Sequence, residues 1–89
     1  MTQFKILGIG STKDKLLKAN LLEAITRLEI VATVLEITKI DEILSHKVDA
    51  IPALYIGEKI IYQGQVPSAE ELTKQFKKKE FIHFFSTSL

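Results

Sequence analysis

The 89-residue sequence contains no cysteine. Disulfides and thiolate metal sites, the staples of many small domains, are therefore closed to it. A chain of this length buries only about 60–65% of its unfolded surface, so one modest hydrophobic core has to carry the fold. The composition can supply that core: 46% of residues are hydrophobic and 26% charged, with two prolines and four glycines. This balance excludes disorder as the main state and allows a single domain. Twelve Lys and Arg against eleven Asp and Glu leave a net charge of +1. Such a balance offers no broad field for nucleic acid or an anionic membrane. No run approaches the ~20 apolar residues of a membrane span. Met1-Thr2-Gln3-Phe4-Lys5 reads as the start of a strand rather than a signal peptide. A cytoplasmic protein with no nucleic-acid and no membrane partner is the expectation.

Apolar periodicity orders the elements. Gln3 to Ile9 reads as a buried strand running into the turn Gly8-Ile9-Gly10. Leu17, Leu21, Ala24, Ile25 and Leu28 then form one helical stripe, flanked by Leu16 and Leu22. Val31 to Ile37 is β-branched and almost continuously apolar, the pattern of a strand covered on both faces. Thr38 and Asp41 bracket the start of a shorter helix that should carry Ile40, Ile43 and Leu44 inward. Pro52 opens a third strand, Ala53 to Ile56, and Gly57-Glu58 forms a tight hairpin into Lys59-Ile60-Ile61-Tyr62. Ser68 with Glu71 makes a capping box for a last helix, whose inward face is Ala69, Leu72 and Phe76. The order β-α-β-α-β-β-α predicts an α/β domain with a four-stranded mixed sheet and helices on both faces.

Three segments carry a family resemblance: Lys5-Ile6-Leu7-Gly8-Ile9-Gly10, Ile51-Pro52-Ala53-Leu54-Tyr55-Ile56, and Ile60 to Leu72 (IIYQGQVPSAEEL). In these the chain resembles the small thioredoxin-like redox-active disulfide proteins, a glutaredoxin-sized branch of the thioredoxin superfamily. The resemblance covers about residues 3–78 and implies a thioredoxin-like fold with a cis proline at Pro52. Where that family has its C-x-x-C, this chain has Ser11-Thr12-Lys13-Asp14. Thiol–disulfide exchange needs a thiolate and a resolving thiol one turn away. A serine hydroxyl and an aspartate cannot replace them. The resemblance transfers the scaffold and withholds the activity.

The residues left at that position have a structural explanation. Ser11 as N-cap and Asp14 at the third helical position form a capping arrangement, and an acid in the first turn suits the helix dipole. A polar ligand site on the same residues is the competing reading; a hydrolytic serine lacks the G-x-S-x-G context. Gly8 and Gly10 shape the strand-to-helix turn and do not complete a G-x-G-x-x-G or G-K-[ST] phosphate loop. His46, near a helix end with Asp49 following, is poorly equipped as a metal site without cysteines, and His83 sits in an apolar tail. Lys77-Lys78-Lys79 occupy different sides of a helix C-terminus, where cations are favoured in any case. Pro52 either keeps a turn that the fold needs or lines a groove in which the Ile51 backbone pairs with an extended peptide.

The domain is expected over residues 1–79. Residues 80–89, with Phe81, Ile82, Phe84, Phe85 and Leu89, form an apolar tail packed on the domain or at a homo-oligomer interface. The functional expectation is a redox-inactive thioredoxin-like module for a protein or peptide partner, with a candidate groove at Ser11, Thr12, Asp14, Ile51 and Pro52. It has no catalytic residue, metal or cofactor. The alternative is a small-molecule-binding or non-redox enzyme built on the Ser11/Asp14 helix end.

Overall fold

The structure, a computed structural model, describes residues 2–78 and 81. Thr2–Leu7 forms strand β1, and the chain turns at Gly8 to Gly10 into helix α1, Thr12–Leu28. Ser11 caps that helix in extended conformation, and Glu29 ends it by turning left-handed at φ 54°, where its N–H reaches back to the last turn. β2 (Ala32–Ile37) follows, then the six-residue α2 (Ile40–Ser45), β3 (Ala53–Ile56), β4 (Lys59–Gln63) and α3 (Ala69–Phe76).

The four strands lie in the order β2-β1-β3-β4. β1 runs parallel to β2, with Thr2 opposite Ala32 and Leu7 opposite Ile37. It runs antiparallel to β3, with Phe4 opposite Ile56 and Leu7 opposite Ala53. The β3–β4 hairpin turns on Gly57 at φ 59°, while Glu58 keeps a negative φ, as a turn with glycine in its first central position requires. A register shift near Leu54 and Tyr55 lets the hairpin twist. This is the four-stranded mixed sheet expected from the order of elements, and the thioredoxin-like arrangement that the family resemblance implies.

Alternation along the strands divides the apolar side chains between two clusters. On one face, Phe4, Ile6, Leu54 and Ile56 pack under Leu17, Leu21 and Ala24 of α1 and Leu72 and Phe76 of α3. On the other, among the described residues, Leu7, Ile37, Ala53 and Tyr55 cluster with Ile43 of α2 and the partly buried Val48 and Ile60. A six-residue helix cannot cover a whole sheet face. Two expectations change for that reason. β2 is an edge strand with a half-open pattern, its Leu35 exposed, rather than a strand covered on both sides. Of the apolar side chains of α2 only Ile43 is buried, which leaves Ile40 and Leu44 outside the core. Its start is also simpler than expected: Lys39 is the N-cap and makes no side-chain capping bond.

Phe81 belongs to the first cluster, with its ring edge-on to Phe76 at 6.3 Å between centroids. The other expected tail contacts, through Ile82, Phe84, Phe85 and Leu89, lie outside the described residues, as do Lys79, Glu80 and His83.

Candidate functional site

The helix start at Ser11 is closed by its own residues. Asp14 Oδ2 accepts the backbone N–H of Gly10 at 2.6 Å and of Ser11 at 2.9 Å, while Asp14 N–H donates to Ser11 Oγ at 3.3 Å. Both halves of the capping box are thus formed. Asp14 is buried, and its second oxygen, Oδ1, is shut off from solvent with no hydrogen-bond partner among the described residues. The two glycines before it have separate duties. Gly10 adopts φ 86°, which a side chain would resist. Gly8 makes room instead: a Cβ there would lie 2.4 Å from the Asp14 carboxylate. A small chamber of about 80 Å³ remains beside this corner, bordered by Gly10, Asp14, Glu36 and Thr38.

Ile51 and Pro52 lie on the loop before β3, and the peptide bond between them is cis. Two contacts hold this loop to the far end of β4. Gly64 N–H donates to Pro52 O at 2.8 Å, and Asp49 N–H donates to Gln63 Oε1 at 2.7 Å. Pro52 itself is buried, whereas Ile51 reaches the surface.

Of the residues singled out in the sequence, Ser11, Thr12 and Asp14 share the first turn of α1, with Ser11 and Thr12 exposed. Ile51 joins a different feature. An apolar groove of about 340 Å³ is lined by Ile9, Ile40, Ile43, Leu44, Val48 and Ile51. Lys47, Asp49 and Ala50 complete its wall. Ile9 brings the groove to within two residues of the Ser11 corner. Sequence reasoning named Ile51 and missed Ile9, Ile40 and Leu44. A signal existed, since three large apolar side chains on a helix of six residues exceed what its one sheet contact can bury.

His46, the residue before the groove-lining Lys47, caps the C-terminal end of α2. Its Nδ1 lies 2.8 Å from Glu42 O, so that nitrogen carries the proton and Nε2 accepts from Lys5 Nζ at 3.4 Å. The imidazole stands edge-on to the Tyr55 ring at 5.5 Å, and Lys5 Nζ lies 4.9 Å from the centre of the same ring. His46 therefore ties α2 to the sheet. Among the described residues no cluster of His, Asp and Glu could hold a metal ion.

A strand order of β2-β1-β3-β4 with a long helix starting at the end of β1 is a thioredoxin-like arrangement. A family model described as "Thioredoxin domain" matches residues 2–77, and the chain belongs to that family. It is 32% identical over 74 residues to a thioredoxin of Methanothermobacter thermautotrophicus, covering 83% of this chain and 96% of that one. It is 29% identical over 77 residues to a thioredoxin of Methanocaldococcus jannaschii, covering 86% and 88%. Within that family the present chain supplies no thiol of its own. Among the described residues, no helix is long and apolar enough to cross a membrane.

Proposed function

We propose that this domain is a redox-inactive binding module that holds an extended apolar segment of a protein partner in the groove between Ile9, α2 and Ile51. One observation carries the reading. Ile9, Ile40, Leu44 and Ile51 are 59%, 61%, 70% and 37% exposed, and all four line the same groove. Single exposed aliphatic residues are ordinary, but a convergent group in a concavity is the usual form of an interaction site. The loop is braced at Asp49 and Pro52, so the wall that carries Ile51 needs little ordering on binding. The Ile51 main chain beside the groove suits pairing with an extended peptide, a form of strand addition.

The alternative, ligand binding or non-redox catalysis at Ser11 and Asp14, draws less support. A base or ligand needs a reachable lone pair, and the Asp14 carboxylate is occupied on one oxygen and enclosed on the other. The proposal includes a cytoplasmic location, which cell fractionation would check.

The test is amide chemical-shift mapping during titration with uncharged, aliphatic or aromatic decapeptides. Shifts should concentrate at Ile9, Ile40, Leu44 and Ile51, and Leu44→Asp should weaken them. Millimolar peptide without shifts, or shifts confined to the opposite face, would sink the reading.

A further inference from the structure

We propose that the occupant of the groove is residues 82–89 of a second copy of this chain, so that two copies exchange tails. This rests on the groove being a peptide site, as argued above, and adds the identity of the peptide. The chain carries two apolar features: an open groove, and a segment, IHFFSTSL, whose sequence holds not a single Asp, Glu, Lys or Arg. Charged residues make up 26% of the whole chain. Ile82, Phe84 and Phe85 offer closely spaced apolar anchors, and about 340 Å³ lined by aliphatic side chains suits one or two of them.

The place where the described chain stops argues for a second copy rather than the chain's own groove. Phe81 is anchored in the cluster under α1 and α3, and the Lys59 ammonium lies 4.8 Å from its ring centre. Lys59 begins β4 opposite Ile56, at the end of the sheet away from Ile51. The groove lies at the other end and on the other face, beside Ile43. Residues 82–89 fully extended span roughly 26–29 Å. Travelling the length of β4 takes roughly 17 Å, and crossing from one packed layer to the other roughly 10 Å more. That path leaves no residues to insert. A neighbouring copy related by a twofold axis can present its groove directly, and the exchange is then reciprocal and closed.

Two full-length variants separate the halves of this contact. Leu44→Asp spoils the groove at a residue that is 70% exposed, so folding is preserved. The Phe84→Ser/Phe85→Ser variant spoils the tail. Light scattering after size exclusion should show the unaltered chain as a dimer. Each variant alone should dissociate with a constant raised about tenfold or more, as when an apolar anchor leaves an interface. Mixed together, the variants should associate one to one, because one keeps its groove and the other its tail. A monomeric unaltered chain, a dimer indifferent to both variants, or a mixture that does not associate would each overturn the proposal. If external decapeptides still map to the groove while the mixture stays monomeric, the peptide site stands and only its occupant has been misassigned.

Discussion

The Asp14 carboxylate rests directly on Gly8, and this contact explains a glycine that has no left-handed backbone to justify it. An alanine at position 8 would have to displace a carboxylate held by two backbone N–H groups. Gly8→Ala should therefore cost about 0.5–2 kcal/mol, the usual value of a helix cap. In an Asp14→Ala background the same change should be neutral or slightly stabilising, because alanine restricts the unfolded chain. Denaturant titrations of the four proteins measure the coupling, and additivity within error would show that the contact carries no energy. Cysteine substitution tests the inherited scaffold at the same corner. Ser11 and Asp14 are the N-cap and third helical residues, and such pairs lie roughly 5–6 Å apart, within the span of a disulfide. A Ser11→Cys/Asp14→Cys protein should close an intramolecular disulfide under mild oxidation and acquire disulfide reductase activity, since a helix start lowers a thiol pKa. Either single substitution should acquire none. A double variant that folds but keeps both thiols free after oxidation would mean that the two positions are not placed for exchange.

At the scale of elements, Tyr62 on β4 feels the charge of Glu71 on α3. Burial, with a further contribution from the Glu71 charge, raises the Tyr62 phenol above its ordinary value of 10.0. A raised acid binds its proton more tightly in the fold than in the unfolded chain. Its stabilising contribution is complete below pH ~10 and is lost as pH climbs from there toward the folded pKa. The informative measurement is the difference between the unaltered chain and Tyr62→Phe, in which the contributions of every other group cancel. Between about pH 9 and 11 (about one unit below and above the ordinary phenol value) the unaltered chain should lose more stability than the variant. Parallel curves would remove the effect. The same elements show what a sequence can disclose. α1, α3 and the hairpin are legible because their signals are local: Ser11 with Asp14, Ser68 with Glu71, and Gly57 in the turn. β2 and α2 are not, because their burial depends on what lies across the sheet. Val31 to Ile37 has the composition of an inner strand, yet among the described residues no strand lies beyond it. Ile40 and Leu44 have helical spacing with Ile43, but only the tertiary docking angle decides which of them reaches the core. The candidate site divides along the same line. Ser11, Asp14 and Ile51 follow from local motifs and family resemblance, whereas the groove beside them is a product of packing.

For the molecule as a whole, the position of Phe81 bears on where the folding unit ends. The family match stops at residue 77, yet Phe81 is 2% exposed and completes the cluster formed by Phe4, Leu72 and Phe76. Its backbone N–H continues the turn after α3 by donating to Lys78 O at 2.9 Å. A domain of this size is stable by only about 4–13 kcal/mol, at ~0.05–0.15 kcal/mol per residue. Truncating a buried phenylalanine costs about 3–5 kcal/mol. Phe81→Ala should accordingly remove about a fifth or more of the total and lower Tm by on the order of 12–40 °C. Lys59→Met serves as the control. It removes the cation above the ring and keeps the stem, so it should cost no more than about 1 kcal/mol. Phe81→Leu should recover most of the loss, since burial rather than aromatic geometry supplies the larger share. The Phe84→Ser/Phe85→Ser variant should melt within a few degrees of the unaltered chain at dilution, where exchanged tails have separated. Thermal unfolding followed by circular dichroism decides among these. A Phe81→Ala protein that melts with the unaltered chain would place the end of the folding unit before residue 81, and the packing under α3 would then owe nothing to it.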